Sequence, residues 1–220
     1  MNVAAKETIM KKFILWDNDG VLVDTEYWYF KSTQLALSEL GVDLSKSRYL
    51  QIMAEGKSSW DLARESGISS KDLQSKKADR DLYYQEHLFN QAIEIPGVIE
   101  ALERFSKTHR MAIVTTSKRN HFEVIHRNTD IVSYMDFVLA REDYVLSKPN
   151  PEPYLLGLSR FGADASDCIV IEDSQRGLRS AIAAGIDCAV VHHDFTQSHD
   201  FTGAKYQLSS VSALAGILED

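Results

Sequence analysis

Five short continuous apolar runs punctuate the chain: Phe13–Trp16, Met111–Val114, Phe137–Ala140, Cys168–Ile171 and Cys188–Val191. Each is long enough for a strand, and an unbroken apolar run reads as a strand covered on both faces. Between them the period changes. Apolar positions recur every three or four residues across 98–107, 120–128, 151–162 and 175–185, which predicts helices. Strands alternating with helices of about ten residues predict right-handed βαβ units around a parallel sheet. The expected fold is α/β, a doubly wound, Rossmann-like parallel sheet of five strands.

One stretch breaks the alternation. From Tyr27 onward the helical period persists through 33–40, 59–66 and 71–89, with Gly41 and Gly67 as stops, and no strand pattern intervenes. Pro96-Gly97 marks the return to alternation. Two units are therefore expected: a catalytic core of residues 11–26 and 95–220, and an all-helical insertion of residues 27–94 after the first strand. The polar stretch from His192 to Tyr206 reads as a loop.

Composition narrows the function classes. Hydrophobic content of 44% and charged content of 25% are those of an ordinary soluble domain. A net charge of −8 argues against nucleic-acid and acidic-membrane surfaces, which call for a basic stripe. A phosphorylated small molecule stays open, because one lysine and one metal can outweigh the global field locally. The two cysteines, Cys168 and Cys188, both begin apolar runs and read as buried free thiols. The N-terminal MNVAAKETIMKK lacks the apolar segment of a secretory signal, and no apolar run approaches a membrane span. The expectation is a cytoplasmic protein, monomeric or weakly dimeric, without nucleic-acid or membrane partners.

In an open parallel sheet, ligands bind beyond the carboxyl ends of the strands. The first run ends in Asp17 and Asp19, followed by Gly20, where the backbone turns sharply. Two like charges there disfavour each other's ionisation, and a divalent cation with oxygen ligands is the usual remedy. A strand running into an Asx-type turn is the plainer alternative. Other strand ends carry Thr115, Thr116 and Ser117, then Ser147-Lys148-Pro149, then Glu172-Asp173-Ser174. Taken singly, Thr115 is a strand-end hydroxyl, Lys148 a loop charge and Asp173 a helix N-cap. Their coincidence on one sheet edge favours a site.

The D-N-D-G-V at 17–21, the apolar run into Thr115, Lys148 before Pro149 and E-D-S-x-x-G at 172–177 together resemble the haloacid dehalogenase superfamily. The likeness is to its phosphatase and phosphomutase branch, whose helical cap falls where residues 27–94 lie. It spans nearly the whole chain. The resemblance implies Asp17 as nucleophile, forming an aspartyl-phosphate, and Asp19 as general acid and base. It implies Asn18, Thr115, Thr116 and Lys148 around the phosphoryl oxygens. It further implies Mg²⁺ held by Asp17, the backbone carbonyl of Asp19, and Asp173, with Glu172 supporting.

The same residues weigh the alternatives. Dehalogenase members lack the second aspartate, so Asp19 excludes that chemistry; phosphonate hydrolysis needs a Schiff-base lysine in the cap, and since Lys57 and several others lie there it is disfavoured and stays open. The β-phosphoglucomutase members carry a histidine and a G-x-S-R arginine in the cap. Here Tyr29 and, within Gly56-Lys57-Ser58-Ser59, Ser59 stand at those positions, which counts against a phosphosugar mutase. A non-catalytic receiver module is shorter and lacks the insertion. The expected function is Mg²⁺-dependent hydrolysis of a small sugar or polyol phosphate, with Trp28, Tyr29, Lys57, Ser58 and Trp60 as candidate substrate contacts. His192 and His193 are adjacent at a strand end and point apart, so a shared metal is not expected.

Overall fold

The computed structural model of the protein describes residues 11–55, 57–91 and 93–218. Gly56 and the first ten residues of the N-terminal stretch lie outside the described residues. Among the described residues six parallel strands form one sheet: β1 (Phe13–Trp16), β2 (Arg110–Val114), β3 (Phe137–Leu139), β4 (Cys168–Glu172), β5 (Asp187–Val191) and β6 (Tyr206–Leu208), in the order β3-β2-β1-β4-β5-β6. The order reverses between β1 and β4, and the crevice above that junction is where doubly wound sheets bind ligands.

Between β1 and the return of the chain stand four helices, α1 (Glu26–Ser38), α2 (Lys46–Ala54), α3 (Trp60–Glu65) and α4 (Ser70–Asn90). Ser45 and Ser69 cap α2 and α4, each side chain accepting from the N–H three residues on. The helices close over their own apolar cluster, centred on Phe30, Leu37, Leu44, Tyr49, Ile52 and Trp60. The two chain segments that enter and leave this insert run side by side. Asp24 N–H donates to the Ile93 carbonyl (2.7 Å) and Ile95 N–H to that of Leu22 (3.2 Å).

The remaining helices cover the sheet: α5 (Val98–Phe105) and α6 (Arg119–Ile125) on one face, α7 (Glu152–Phe161) and α8 (Gln175–Ala183) on the other. Alternate strand residues serve opposite layers. Ile14, Trp16, Met111, Ile113, Ile169 and Ile171 face the first, while Leu15, Ala112, Val114, Cys168 and Val170 face the second. Burial on both faces is why these strands are written as unbroken apolar runs. Cys168 and Cys188 are buried free thiols, and burial pushes the Cys168 thiol up to about 12.

Two elements depart from the sequence expectation. The sheet has a sixth strand where a loop was expected to end: Tyr206–Leu208 pairs with Ala189–Val191. It is three residues long with a central exposed Gln207, so it carries no apolar run. The sequence pattern also does not predict helix α2, because among its described side chains only Tyr49 and Ile52 are buried and the amphipathic signal is thin. Among the described residues no helix is long and apolar enough to cross a membrane.

Candidate active site

The site begins where β1 stops. Asp17 N–H still follows the ladder, donating to the Ile171 carbonyl at 2.8 Å. The Asn18 carbonyl then collects the N–H groups of Val21 (3.3 Å), Leu22 (2.9 Å) and Val23 (3.2 Å), which folds the loop back on itself. Gly20 sits at φ +84°, a conformation that L side chains resist. A Cβ there would also lie 2.6 Å from His193 Nε2 and collide with the Asp173 carboxylate. Glycine is thus required twice, for the turn and for the approach of β4's loop.

Across the crevice, Lys148 is 5% exposed and points down between β1, β2 and β4. Its Nζ donates to Asp17 Oδ1 (2.6 Å), Glu172 Oε1 (2.8 Å) and the Val114 carbonyl (2.8 Å). Glu172, fully buried, also accepts from the Tyr154 hydroxyl (2.7 Å), the Ser174 hydroxyl (3.0 Å) and the N–H groups of Asp173 (3.2 Å) and Ser174 (3.3 Å). Ser174 caps α8 by accepting from Gly177 N–H (3.2 Å), and a Cβ at Gly177 would occupy the Glu172 carboxylate. The E-D-S-x-x-G pattern is therefore a glutamate saturated with donors under a closely packed helix start.

Charge in this pocket does not balance. Asp17, Glu172 and Asp173 each place a ligand oxygen within 4.8 Å of the others, against one buried ammonium and a histidine, His193, whose Nε2 is 2.9 Å from Asp173 Oδ2. Burial, then Glu172, hold the Asp17 carboxyl well above the usual range. Burial raises Asp173 too, although His193 works against it. Glu172 is also opposed by burial, but Lys148 and its hydrogen bonds hold it below the ordinary value. Burial likewise opposes the Lys148 ammonium, yet Asp17 and Glu172 outweigh it and keep the lysine charged. A cation touching the oxygens of Asp17 and Asp173 that Lys148 and His193 leave over would relieve this excess, and oxygen-only donors suit a hard divalent ion.

Asp19 faces elsewhere. Its Oδ1 accepts from Thr25 (2.5 Å), and its Oδ2 from Ser117 (2.8 Å), Thr115 (3.3 Å) and the Asn18 carboxamide (3.3 Å). Of the four residues expected to hold a metal, the side chains of three converge, and the Asp19 carboxylate stays outside that cluster. Thr115 is fully buried and also accepts from Ser117 N–H (3.0 Å). Thr116 sits at the rim, its hydroxyl accepting from Arg176 (3.2 Å). The Asn18 carboxamide turns into the interior, 2.7 Å from His126 Nε2.

The helical insert brings its own polar groups. Glu26, first residue of α1, accepts from the Tyr49 hydroxyl. Burial, with Asp173 and Asp19 pushing the same way, raises its carboxyl from 4.5 to about 7. A carboxyl so raised stabilises the fold most below pH 4.5, and that contribution fades as pH climbs through 7. Glu26→Gln is therefore expected to make the EDTA-treated protein more stable than wild type at pH 8, with the difference shrinking towards pH 4.5; thermal unfolding across pH checks it. Arg80 is 7% exposed, stacks on Tyr29 (4.3 Å) and bonds Asp81 through Nε (2.9 Å), while its Nη1 has no hydrogen-bond partner among the described residues.

Among the insert residues expected at the substrate, Trp60 is buried in the insert's own cluster, Trp28 stacks on His87 (5.1 Å), and Lys57 pairs with Glu55 (2.8 Å). Ser58 caps locally, accepting from Trp60 N–H (3.3 Å). His192 and His193 diverge: the first lies over Phe201, the second meets Asp173. Sequence reasoning named Ser117 among the strand-end hydroxyls without giving it a role, and missed Thr25, Tyr154, His126, Glu26, Arg80 and the role of His193. Of these, Thr25 and Ser117 had a signal, being hydroxyls flanking named motif residues. Tyr154, His126 and His193 reach the site only through tertiary folding.

Three comparisons bear on this geometry. A model of the haloacid dehalogenase-like hydrolase family matches residues 14–191. The chain is 30% identical over 183 residues to a phosphorylated carbohydrates phosphatase of Thermotoga maritima, covering 81% of this chain and 85% of that one. It is 29% identical over 216 residues to protein CbbY of Rhodobacter capsulatus, covering 93% and 95%. In fold it resembles the crystal structure of CbbY from Rhodobacter sphaeroides in complex with phosphate, at a TM-score of 0.82 and 23% identity, covering 96% of this chain and all of that one.

Proposed function

Since the chain belongs to the haloacid dehalogenase-like hydrolases, we propose that it is a Mg²⁺-dependent phosphatase of small sugar or polyol phosphates, working through an aspartyl-phosphate on Asp17. One observation carries this reading. Two carboxylates two residues apart are held in opposite ways, Asp17 by a buried ammonium and Asp19 by hydroxyls, which suits one to attack and the other to move protons.

Asp17, Asp173 and the Asp19 backbone carbonyl would hold the Mg²⁺, with Glu172 behind them, and the ion supplies charge neutralisation at the phosphoryl group. The rest falls to the chain itself. An Asp17 oxygen forms a bond to phosphorus as the ester P–O bond breaks, and Asp19 gives its proton to the departing oxygen. Asp19 then takes a proton from the water that attacks the aspartyl-phosphate, and Asp17 leaves as carboxylate with release of phosphate. Lys148 holds Asp17 in place and offsets charge on the transferring oxygens, alongside the Thr115 hydroxyl, with Thr116 at the rim; Asn18, its carboxamide turned inward, would reach them only through its backbone.

Residues 27–94 would act as a cap, hinged where residues 22–24 pair with 93–95, and its closure excludes water during transfer to Asp17. Glu26 and Arg80 give it a hydroxyl acceptor and a cation, the pairing that a polyhydroxylated anion calls for. The buried, reduced thiols fit a cytoplasmic setting. The test is phosphate release from a panel of sugar and polyol phosphates, followed by phosphorus NMR. Turnover is expected with Mg²⁺, to vanish on exhaustive EDTA treatment and to return with Mg²⁺. Full activity in EDTA overturns the metal dependence. Conversion of β-glucose 1-phosphate chiefly to glucose 6-phosphate overturns hydrolysis in favour of a mutase.

A further inference from the structure

His126 lies just past α6, 108 residues along the chain from Asn18, and neither side chain has a part in the chemistry above. Yet the two meet in the interior. His126 is 9% exposed, its Nε2 lies 2.7 Å from Asn18 Oδ1, and its Nδ1 lies 2.9 Å from the Thr129 hydroxyl. A carboxamide oxygen only accepts, so Nε2 carries the proton; Nδ1 then accepts from Thr129. Burial supports the neutral ring, pulling His126 down to about 4.

The orientation of Asn18 is set by that tautomer. With Oδ1 fixed on His126, its NH₂ points the other way, 3.3 Å from Asp19 Oδ2. The same residue's carbonyl anchors the three N–H groups of the turn after Asp19. Resting on the phosphatase reading, we infer that His126 is a positioning residue: through Asn18 it fixes the turn and the rotamer of Asp19, the proposed proton carrier. Thr129, His126, Asn18 and Asp19 form one hydrogen-bonded line from the core to the crevice. Small displacements of a group aligned for proton transfer are costly in rate and leave ground-state binding almost untouched.

The experiment uses the full chain in four variants: His126→Leu, His126→Gln, Asn18→Leu, and Asn18→Leu combined with His126→Leu. His126→Leu is expected to lower kcat roughly 10- to 100-fold with KM little changed, and to lower Tm by orphaning the Asn18 Oδ1. His126→Gln, which can still donate to Asn18, should recover most of the rate. The double variant should recover Tm, having no orphaned group, and keep the low kcat. A double variant at wild-type kcat, or a His126→Leu effect confined to KM, overturns the positioning role. Imidazole NMR reads the contact without turnover: a His126 Nε2–H proton protected from exchange in wild type and unprotected in Asn18→Leu supports it, and equal exchange overturns it. If no phosphate ester is hydrolysed by wild type, the phosphatase reading falls while this NMR result still decides the hold of His126 on Asn18.

Discussion

Asp17→Asn is expected to fold, to bind phosphorylated ligands, and to lose turnover by roughly 10⁶-fold, the order of loss when a covalent nucleophile is removed. The carboxylate is the electron-pair donor in the first displacement, and a neutral amide, lacking its negative charge, is a far weaker nucleophile. Folding should survive because the amide keeps an oxygen for the Lys148 ammonium, now at 2.6 Å, and relieves the crowding of Asp17 with Glu172 and Asp173. The expected signature is therefore inactivity without loss of Tm, read by phosphate release beside thermal unfolding. Residual turnover within tenfold of wild type would remove Asp17 from the mechanism.

Lys148→Met carries the largest expected effect on stability. The Lys148 side chain is 2% exposed and its ammonium is shared by two buried carboxylates. Breaking a buried pair by removing one partner costs about 3–5 kcal/mol, because the other charge stays buried and unpaired. For a chain of this length that is a fall in Tm of about 10 °C. The sign of the pH dependence can be worked out from the same contacts. In wild type, Lys148 is held above its ordinary value, so its contribution is fully present below 10.5 and persists through neutral pH. In the variant, Asp17 and Glu172 lose that cation, their carboxyls move up, and stability falls as pH rises from 3.8 and 4.5 towards the raised values. Unfolding of metal-free protein should show the deficit at pH 8 and much less of it at pH 5. A deficit independent of pH would mean that lost packing, and not charge, dominates.

Distance in sequence decides how much of this was legible in the chain. Asp17, Asp19, Thr115, Lys148, Glu172 and Asp173 announce themselves because each lies beyond a run whose apolar residues are demanded by two-sided burial, and strand order then gathers the ends. The alternation of Ile14, Leu15 and Trp16 between the two layers shows how strongly the sheet constrains that pattern. Strand β6 escaped because an edge strand has a short ladder and one exposed side, so Gln207 is free to be polar. His126, His193 and Tyr154 escaped for a different reason. A buried histidine or tyrosine looks like core material, and only its partner, Asn18, Asp173 or Glu172, distinguishes it. Phe195 is similar: it lies in the segment after β5 yet packs into the insert's cluster beside Tyr49, a contact no periodicity records.

The most direct measurement is acid-quenched single turnover with a ³²P-labelled substrate and excess enzyme, combined with peptide mapping. Label should appear on protein within one turnover, map to the peptide holding Asp17, decay as phosphate is released, and be absent in Asp17→Asn. Substrate consumed within that turnover with no protein-bound label at any quench time, or label mapped to another residue, would contradict it.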